Sequence, residues 1–596
     1  MRLFTTSDRE SARDPVGASS TEPHGVAVVV ALLVVALVAA VVTGGDLLVV
    51  GVVSVIAIGV ARADMVRQAF GAAARLVRGG RTALLGRPAL LAIAAVGVAL
   101  RLRAFLVDRA LWLDEAALAR SFLERDLLQL LAYPLMEDQS APPGFIVGVH
   151  ALVRVLGFDE TTLRLLPLLA SVMTVLLAVL VAEGAFRTRA GRALFVGLVA
   201  LSPILIYYAQ EHKQYALDGL AAVSLLLIRD RGWIDRYPWR TGLTLAVVAF
   251  FSLPGAILVG VLVGLQALES LRLSDLRRMV PPGLLALTGI AAHLAYTLRS
   301  GTDRGRMVRL WTNAGAFPPD AGLVEQLDWL AGKFLEISWV GLAHGDIGGS
   351  RVGVTYPLLV LPFLALLLIA LRRLGHTARF ATSVLLIAVL LAYLTLYPIA
   401  SRLSLHLVPA LAFLAVMGFE QVAARLRAST DVPVPATLVL AMTVLLLPVS
   451  TAIDRVIAPR DTMDIRQAVA VIGEGHRSGD VVISNEFSRL AWDVYVDSEL
   501  LSPTFRVDWD ADAGGTAETV GALLAQYAPV GAEREALPRR FWFFAPHRAS
   551  QLRSAMLAVA DDNGMTVVCD VLDHGLFVGV LSEEVEVSDP ELCGAS

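Results

Sequence analysis

Charge is scarce in this chain and lysine is nearly missing. Of 596 residues only 17% are charged while 56% are hydrophobic, and the mean hydropathy is +0.66. Soluble domains of ordinary make-up carry about 25% charged residues, so this composition excludes that class and indicates a polytopic membrane protein. The net charge is only −4, and no basic run or basic-aromatic interleaving occurs, which sets nucleic-acid binding aside. Among 50 basic residues, Lys213 and Lys333 are the only lysines. A GC-rich coding bias accounts for that most simply, and it makes each lysine conspicuous. Cysteine is limited to Cys569 and Cys593, and no ligand spacing of the kind that marks a dedicated metal site is present. There is no internal repeat, and the Ala, Val and Leu runs are span composition.

What the chain has in quantity is apolar runs. A membrane span needs roughly 17 to 25 apolar residues, and candidates fall at 25–43, 46–62, 88–107, 163–186, 193–209, 215–228, 241–252, 254–269, 280–298, 353–371, 380–399, 404–423 and 433–452. The first follows a polar head containing Arg2, Arg9 and Arg13. It is longer than a signal-peptide core and lacks a clear small-residue cleavage site, so it reads as a retained anchor. Arginines in the connecting segments set the orientation. They group at Arg67 to Arg87, Arg187 to Arg192, Arg229 and Arg231, Arg272 to Arg278, Arg372 to Arg379, and Arg425 and Arg427. All of these groups fall on one side if 142–157 lies along the outer interface without crossing. The expected topology is therefore thirteen crossings, an N-terminus inside, and everything after Thr451 outside.

The organisation that follows is a cytoplasmic tail (1–24), an extra two-helix hairpin with its cytoplasmic loop (25–87), a transmembrane domain (88–452) and an extracytoplasmic α/β domain (453–596). In the last of these, 464–474 reads as a helix, 480–484 as a strand, 541–544 as a buried strand, 548–559 as a helix, and 566–569 and 576–580 as strands. The Gly-, Ala- and Thr-rich stretch 511–519 reads as a loop. Both cysteines lie in this outward domain, where a disulfide is chemically permitted and two unpaired thiols are the alternative.

Four polar stations then meet at the outer membrane face. Leu111-Trp112-Leu113-Asp114-Glu115 places two adjacent carboxylates just past an apolar span, where acids are costly and usually have a task; the dipeptide alone would suit a solvated loop. Glu137-Asp138-Gln139-Ser140-Ala141-Pro142-Pro143-Gly144 is an acidic turn stiffened by Pro-Pro. Ser202-Pro203 leads into Tyr207-Tyr208-Ala209-Gln210-Glu211-His212-Lys213-Gln214-Tyr215, a turn so short that its charges sit near the lipid headgroups. An aromatic interfacial belt accounts for its tyrosines. Ser401-Arg402 puts an arginine at the outer face, against the charge bias of the short loops. Arg101 and Arg103 lie in the last turns of an apolar span, and at least one of them reads as a side chain snorkelling to the interface. Arg120 and Glu124, four apart, suit a helix lying on the membrane surface.

The order of these motifs carries a resemblance. A Trp-Leu-Asp-Glu loop after an early span is followed by the Pro142-Pro143 turn, an Arg164-Leu165 span entry, the Leu201-Ser202-Pro203 turn with its Gln210 to Leu217 run, and the late Ser401-Arg402-Leu403-Ser404-Leu405. Over roughly 88–580 this resembles the multi-span glycosyltransferases of the GT-C fold, and among them the protein O-mannosyltransferase and lipid A aminoarabinose transferase group (glycosyltransferase family 39-like). The resemblance implies a GT-C-like polytopic α-helical membrane protein of about 13 transmembrane helices, with 88–452 as the catalytic domain and the C-terminal α/β domain outside. It implies inverting transfer of a sugar from a polyprenyl-phosphate donor to a hydroxyl of a glycan, lipid or protein acceptor, amid membrane lipids and with no nucleic acid.

Carried residue by residue, Asp114 is similar to the family's first-loop catalytic aspartate, the general base. Glu115 matches the second acid and is assigned to positioning the acceptor or the base, because helical neighbours point about 100° apart. Lys213 and Arg402, with Arg164 as a weaker candidate, would hold the donor phosphate as its leaving oxygen gains charge. Glu137, Asp138, Gln139, Tyr208, Gln210, Glu211, His212 and Tyr215 fall to substrate positioning. Some members place a divalent metal near the acids, for which His212, Glu211, Glu137 and Asp138 are the available ligands; no other cofactor is implied. Gly144 after Pro-Pro, and Leu403-Ser404-Leu405-His406 after the late arginine, depart from the more aromatic family pattern. The rival readings are a lipid or solute transporter or flippase, which would bury its polar groups on broken helices near the midplane, and a polysaccharide polymerase or ligase.

Overall fold

Apolar runs of this length satisfy their backbone only as helices when they sit in lipid, and helix is what most of the chain adopts. The computed structural model describes residues 88–582, with breaks of which the longest are 344–356, 429–443, 450–464 and 528–539. The tail, the N-terminal hairpin and most of the expected span 433–452 lie outside the described residues. The main helices of the first part are α1 (Pro88–Leu106), α2 (Leu113–Glu124), α3 (Pro143–Leu156), α4 (Glu160–Ala185), α5 (Arg189–Ala200), α6 (Tyr215–Arg231), α7 (Pro238–Phe251), α8 (Leu253–Glu269), α9 (Leu273–Arg299), α10 (Leu323–Ala343), α11 (Pro357–Ala370), α12 (His376–Tyr393) and α13 (Leu407–Ala428).

Each span expected between 88 and 423 overlaps one of these helices over its described residues. Among the described residues, five are long and apolar enough to cross a membrane, and a sixth arises if α5 and Pro203–Gln210, bent by 47°, count as one broken span. Helices such as α7 and α11, with 14 residues each, fall short of the roughly 17 residues of a full crossing. The described residues do not fix the number of crossings at thirteen. Segment α3 is also 14 residues long, shorter than a span.

The α5 break has a local cause. Pro203 has no N–H, so the Val199 carbonyl loses its helical partner. Arg101 replaces it: its guanidinium donates to Val199 O at 3.3 Å and Ala200 O at 2.6 Å, and its Nε to Ser171 Oγ at 2.7 Å. Arg101 is fully buried, so it does not snorkel. Arg103 is exposed. The approach of α1 to α5 needs Gly97, where a Cβ would stand 2.6 Å from the Ala200 Cβ.

The C-terminal part contains α14 (Ile465–Gly475), β1 (Val481–Asn485), α15 (Ser488–Tyr495), β2 (Thr504–Val507), α16 (Ala513–Tyr527), β3 (Arg540–Ala545), α17 (Ala549–Asn563), β4 (Thr566–Asp573) and β5 (Leu576–Ser582). The sheet order is β2-β1-β3-β5-β4. Strand β1 runs parallel to β2 and β3, and β5 is antiparallel to β3 and β4. Phe541 and Phe543 face one core with α16 and α17, while Trp542 and Phe544 face a second with α14 and α15. Covering both faces is why this strand reads as an unbroken aromatic run. Within the expected loop at 511–519, residues 513–519 are instead the first half of α16, and 511–512 lie outside the described residues. Its Gly514-Gly515 pair sits in the first turn, where glycine is cheapest, and the Ala, Glu, Val and Leu residues behind it are competent helix formers. Cys569 is disulfide-bonded; the chain's only other cysteine is Cys593, outside the described residues.

Candidate active site

Leaving α1, the chain turns through Arg109-Ala110-Leu111 and enters α2, whose first turn holds both acids. Acids suit that position because the exposed amides and the helix dipole are positive there. Glu115, at the third helical position, accepts the Trp112 N–H at 3.2 Å, half of a capping box. Its side chain is fully buried. It receives Arg164 Nε at 2.9 Å, Arg164 Nη2 at 2.8 Å and the His212 N–H at 2.6 Å, with Arg109 Nη2 at 3.5 Å. Burial alone would raise this carboxyl, but Arg164 and Arg109 outweigh it and hold Glu115 well below the usual carboxylate range.

Arg164 is committed to the same cluster. Besides Glu115, it donates to the carbonyls of Arg109 at 2.8 Å and Ala110 at 3.1 Å. A guanidinium has five N–H donors, and four of them are directed at these partners. The expected phosphate role for Arg164 therefore does not fit, since a fork already filled by a carboxylate and two carbonyls has little left for a ligand. Glu115 likewise faces the protein interior, where Trp112, Arg164 and His212 fill its carboxylate.

Asp114 points the other way. Its side chain is 25% exposed, and Oδ2 lies 2.5 Å from Arg402 Nη1, joining residues 288 apart in sequence. The Arg402 guanidinium stacks over Tyr215 and Trp311 at 6.0 and 5.7 Å. Lys213 is buried beside them, and its Nζ donates to Gln139 Oε1 at 2.5 Å. Burial would push the Asp114 carboxyl up, but Lys213 and then Arg402 outweigh it and leave it depressed. The Lys213 ammonium is itself lowered by burial against the attraction of Asp114. One carboxylate, two cations and an aromatic wall thus converge at the entry to α2.

The other expected residues divide into those near this centre and those turned elsewhere. Tyr208 is buried with its ring 5.1 Å from that of Tyr215. Gln139 follows Glu137 and Asp138, two residues at positive φ (54° and 52°), an arrangement that L side chains adopt at a cost of about 1–3 kcal/mol. That strained turn aims Gln139 at Lys213. Glu137 itself pairs with Arg120 at 2.8 Å, and the half-exposed Asp138 pairs with Arg306. The Gln210 carbonyl accepts Arg109 Nη2 at 2.9 Å. Glu211 lies 3.8 Å from Arg109, and burial pushes its carboxyl up to about 6 against the pull of that arginine. His212 packs between Phe122 and Phe145, with Nδ1 3.0 Å from the Leu163 carbonyl; burial lowers it to about 3, so it stays neutral. Arg109, which links Glu115, Glu211 and Gln210, was not legible as a site residue; its one signal is a basic residue shortly before the acid motif.

Among the described residues, no group of three or more His, Cys, Asp or Glu side chains is placed to hold a metal ion. The four candidate ligands disperse: Glu137 to Arg120, Asp138 to Arg306, Glu211 toward Arg109, and His212 into an aromatic slot. They do not make a donor set for a divalent cation.

No known protein-family model matches the chain, and no curated protein matches it in sequence. Among solved structures the chain is similar to ArnT from Cupriavidus metallidurans in the apo state, with 14% identity and a TM-score of 0.47 over 85% of this chain and 99% of that one. It is similar to the same protein bound to undecaprenyl phosphate at 14% identity and a TM-score of 0.47, over 84% and 99% of the two chains.

Proposed function

We propose that the chain is a membrane glycosyltransferase that moves a hexose or pentose from a polyprenyl-phosphate donor to an acceptor hydroxyl at the extracytoplasmic face. The observation that carries this reading is the meeting of Asp114 with Arg402 at 2.5 Å beside the Lys213 ammonium. A base and two phosphate-binding cations are the parts such a displacement requires.

The donor phosphate sits against Lys213 and Arg402. Asp114 takes the proton of the acceptor hydroxyl, whose oxygen bonds to the anomeric carbon while the carbon–phosphate oxygen bond breaks. The electron pair leaves with the phosphate, whose growing charge the two cations stabilise, and a single in-line step inverts the anomeric centre. Before donor binds, the cations suppress the basicity of Asp114. A phosphate that engages Arg402 and Lys213 neutralises them and raises the affinity of Asp114 for a proton, so the base becomes effective when the donor is present. Glu115, clamped by Arg164, holds the helix that presents Asp114. No step passes through a metal.

The test is to incubate the purified protein with a panel of polyprenyl-phosphate sugars and appropriate hydroxyl acceptors, and in parallel to reconstitute it in vesicles. Consumption of one donor with appearance of the free polyprenyl phosphate is expected. No consumption of any donor, together with movement of a lipid or solute across the vesicle membrane, would overturn the reading in favour of a transporter.

A further inference from the structure

The C-terminal α/β domain reaches the acid loop through specific contacts. Ala110, four residues before Asp114, is buried within the domain's own hydrophobic core alongside Ile465, Trp492, Trp542 and Phe544. The next residue, Leu111, donates its backbone N–H to Tyr495 Oη at 2.6 Å. The Tyr495 hydroxyl in turn donates to Glu160 Oε1 at 3.0 Å, and Arg466 Nη1 lies 3.6 Å from the same oxygen. Glu160 opens α4, and one turn further Arg164 grips Glu115 and the carbonyls of Arg109 and Ala110. Helix α15, which ends in Tyr495, packs along α2.

We infer that the C-terminal domain is part of the site, with Tyr495 as a positioning residue that staples the Asp114 loop to α4. This inference rests on the transferase reading for its catalytic consequence and on geometry alone for the staple. A domain that merely covered a groove would have no need to take a residue of the membrane-side loop into its core. Residues 109–111 are fixed from two directions, by Arg164 of α4 and by the core and Tyr495 of the outer domain. Asp114 follows three residues later, with only the start of α2 between. A general base must stand within about 2.6–3.2 Å of the proton it removes, and a displacement of about 1 Å can cost on the order of 100-fold in rate. Burial also pushes the Tyr495 phenol up, so it keeps the proton that it donates to Glu160 at all physiological pH values.

The experiment compares the full-length protein with Tyr495→Phe, which keeps the ring in place and removes only the hydroxyl. Hydrogen–deuterium exchange of the peptide 109–118 reads the staple directly, because the Leu111 amide is one of its hydrogen bonds. Exchange there is expected to quicken about fivefold, the effect of one lost hydrogen bond, with the core helices unchanged. In the transferase assay kcat is expected to fall about tenfold while KM for the polyprenyl-phosphate sugar stays constant, since Lys213 and Arg402 are untouched. Unchanged exchange would overturn the staple. Faster exchange with unchanged kcat, or parallel changes in kcat, KM and thermal stability, would overturn the positioning role. Absence of any turnover by the wild-type protein refutes the transferase reading, and the exchange result then still decides the staple.

Discussion

Glu115→Gln and Asp114→Asn alter adjacent acids by the same chemistry, yet they should have opposite consequences. Glu115 is fully buried and accepts four hydrogen bonds from Trp112, Arg164 and His212. Removing its charge leaves Arg164 and Arg109 desolvated, with Glu211 at 3.8 Å from Arg109 as the remaining nearby acid. Breaking a buried ion pair by neutralising one partner costs about 3–5 kcal/mol. The Asp114–Arg402 pair is partly exposed, 25% and 32% at the two side chains, and solvent screening limits such a pair to about 1 kcal/mol or less. The assay is SDS-titration unfolding in mixed micelles, followed by tryptophan fluorescence, on wild type and both variants. Glu115→Gln should lose several kcal/mol, and Asp114→Asn should be nearly as stable as wild type. A double variant with Arg164→Met should recover part of the Glu115→Gln loss, because the two sites share one interaction. Equal costs for the two acids, or a wild-type-like Glu115→Gln, would refute the division of labour between them.

Other expectations are as direct. Lys213→Ala and Arg402→Ala should each raise KM for the donor and lower kcat/KM by about 10- to 1,000-fold, the range for one lost transition-state donor or less, and unchanged donor kinetics in both would remove the phosphate assignment. The Glu211 carboxyl is raised to about 6 by burial, against about 4.3 in an unfolded chain. Its contribution to stability is therefore complete below pH 4.3 or so and is lost as pH rises through about 6; Glu211→Gln should flatten that part of the stability profile, and an unaltered profile would contradict the assignment. Ser140 is exposed on the Pro-Pro turn, so Ser140→Cys, in a background without Cys569 and Cys593, should react with an impermeant maleimide from outside the cell. Labelling only from the cytoplasmic side would reverse the topology.

The helical spans were legible because apolar runs of span length leave the backbone few alternatives. So was β3, whose four consecutive aromatics mark a strand buried on both faces. The start of α16 was not, because Gly514 and Gly515 dominate a short window while the helix-forming residues follow them. At the site, the motif singled out Asp114 and Glu115 and gave them different tasks, but it did not show which of them is buried. Glu115 is defined by Arg164 and His212, 49 and 97 residues away, and no local pattern reveals which acid the fold will bury. The same distance hid the commitment of Arg164 and the linking role of Arg109. His212 resembled a ligand by type, but Phe122 and Phe145 make it a core residue.

The most direct measurement is the separation of donor binding from donor turnover in Asp114→Asn. Binding of a polyprenyl-phosphate sugar, read by isothermal titration calorimetry in micelles, should be unchanged or tighter, because Arg402 is released from a competing carboxylate. Single-turnover transfer to the acceptor should fall by about 100- to 10,000-fold, the usual weight of a general base. Transfer at the wild-type rate by Asp114→Asn would contradict the account at its centre.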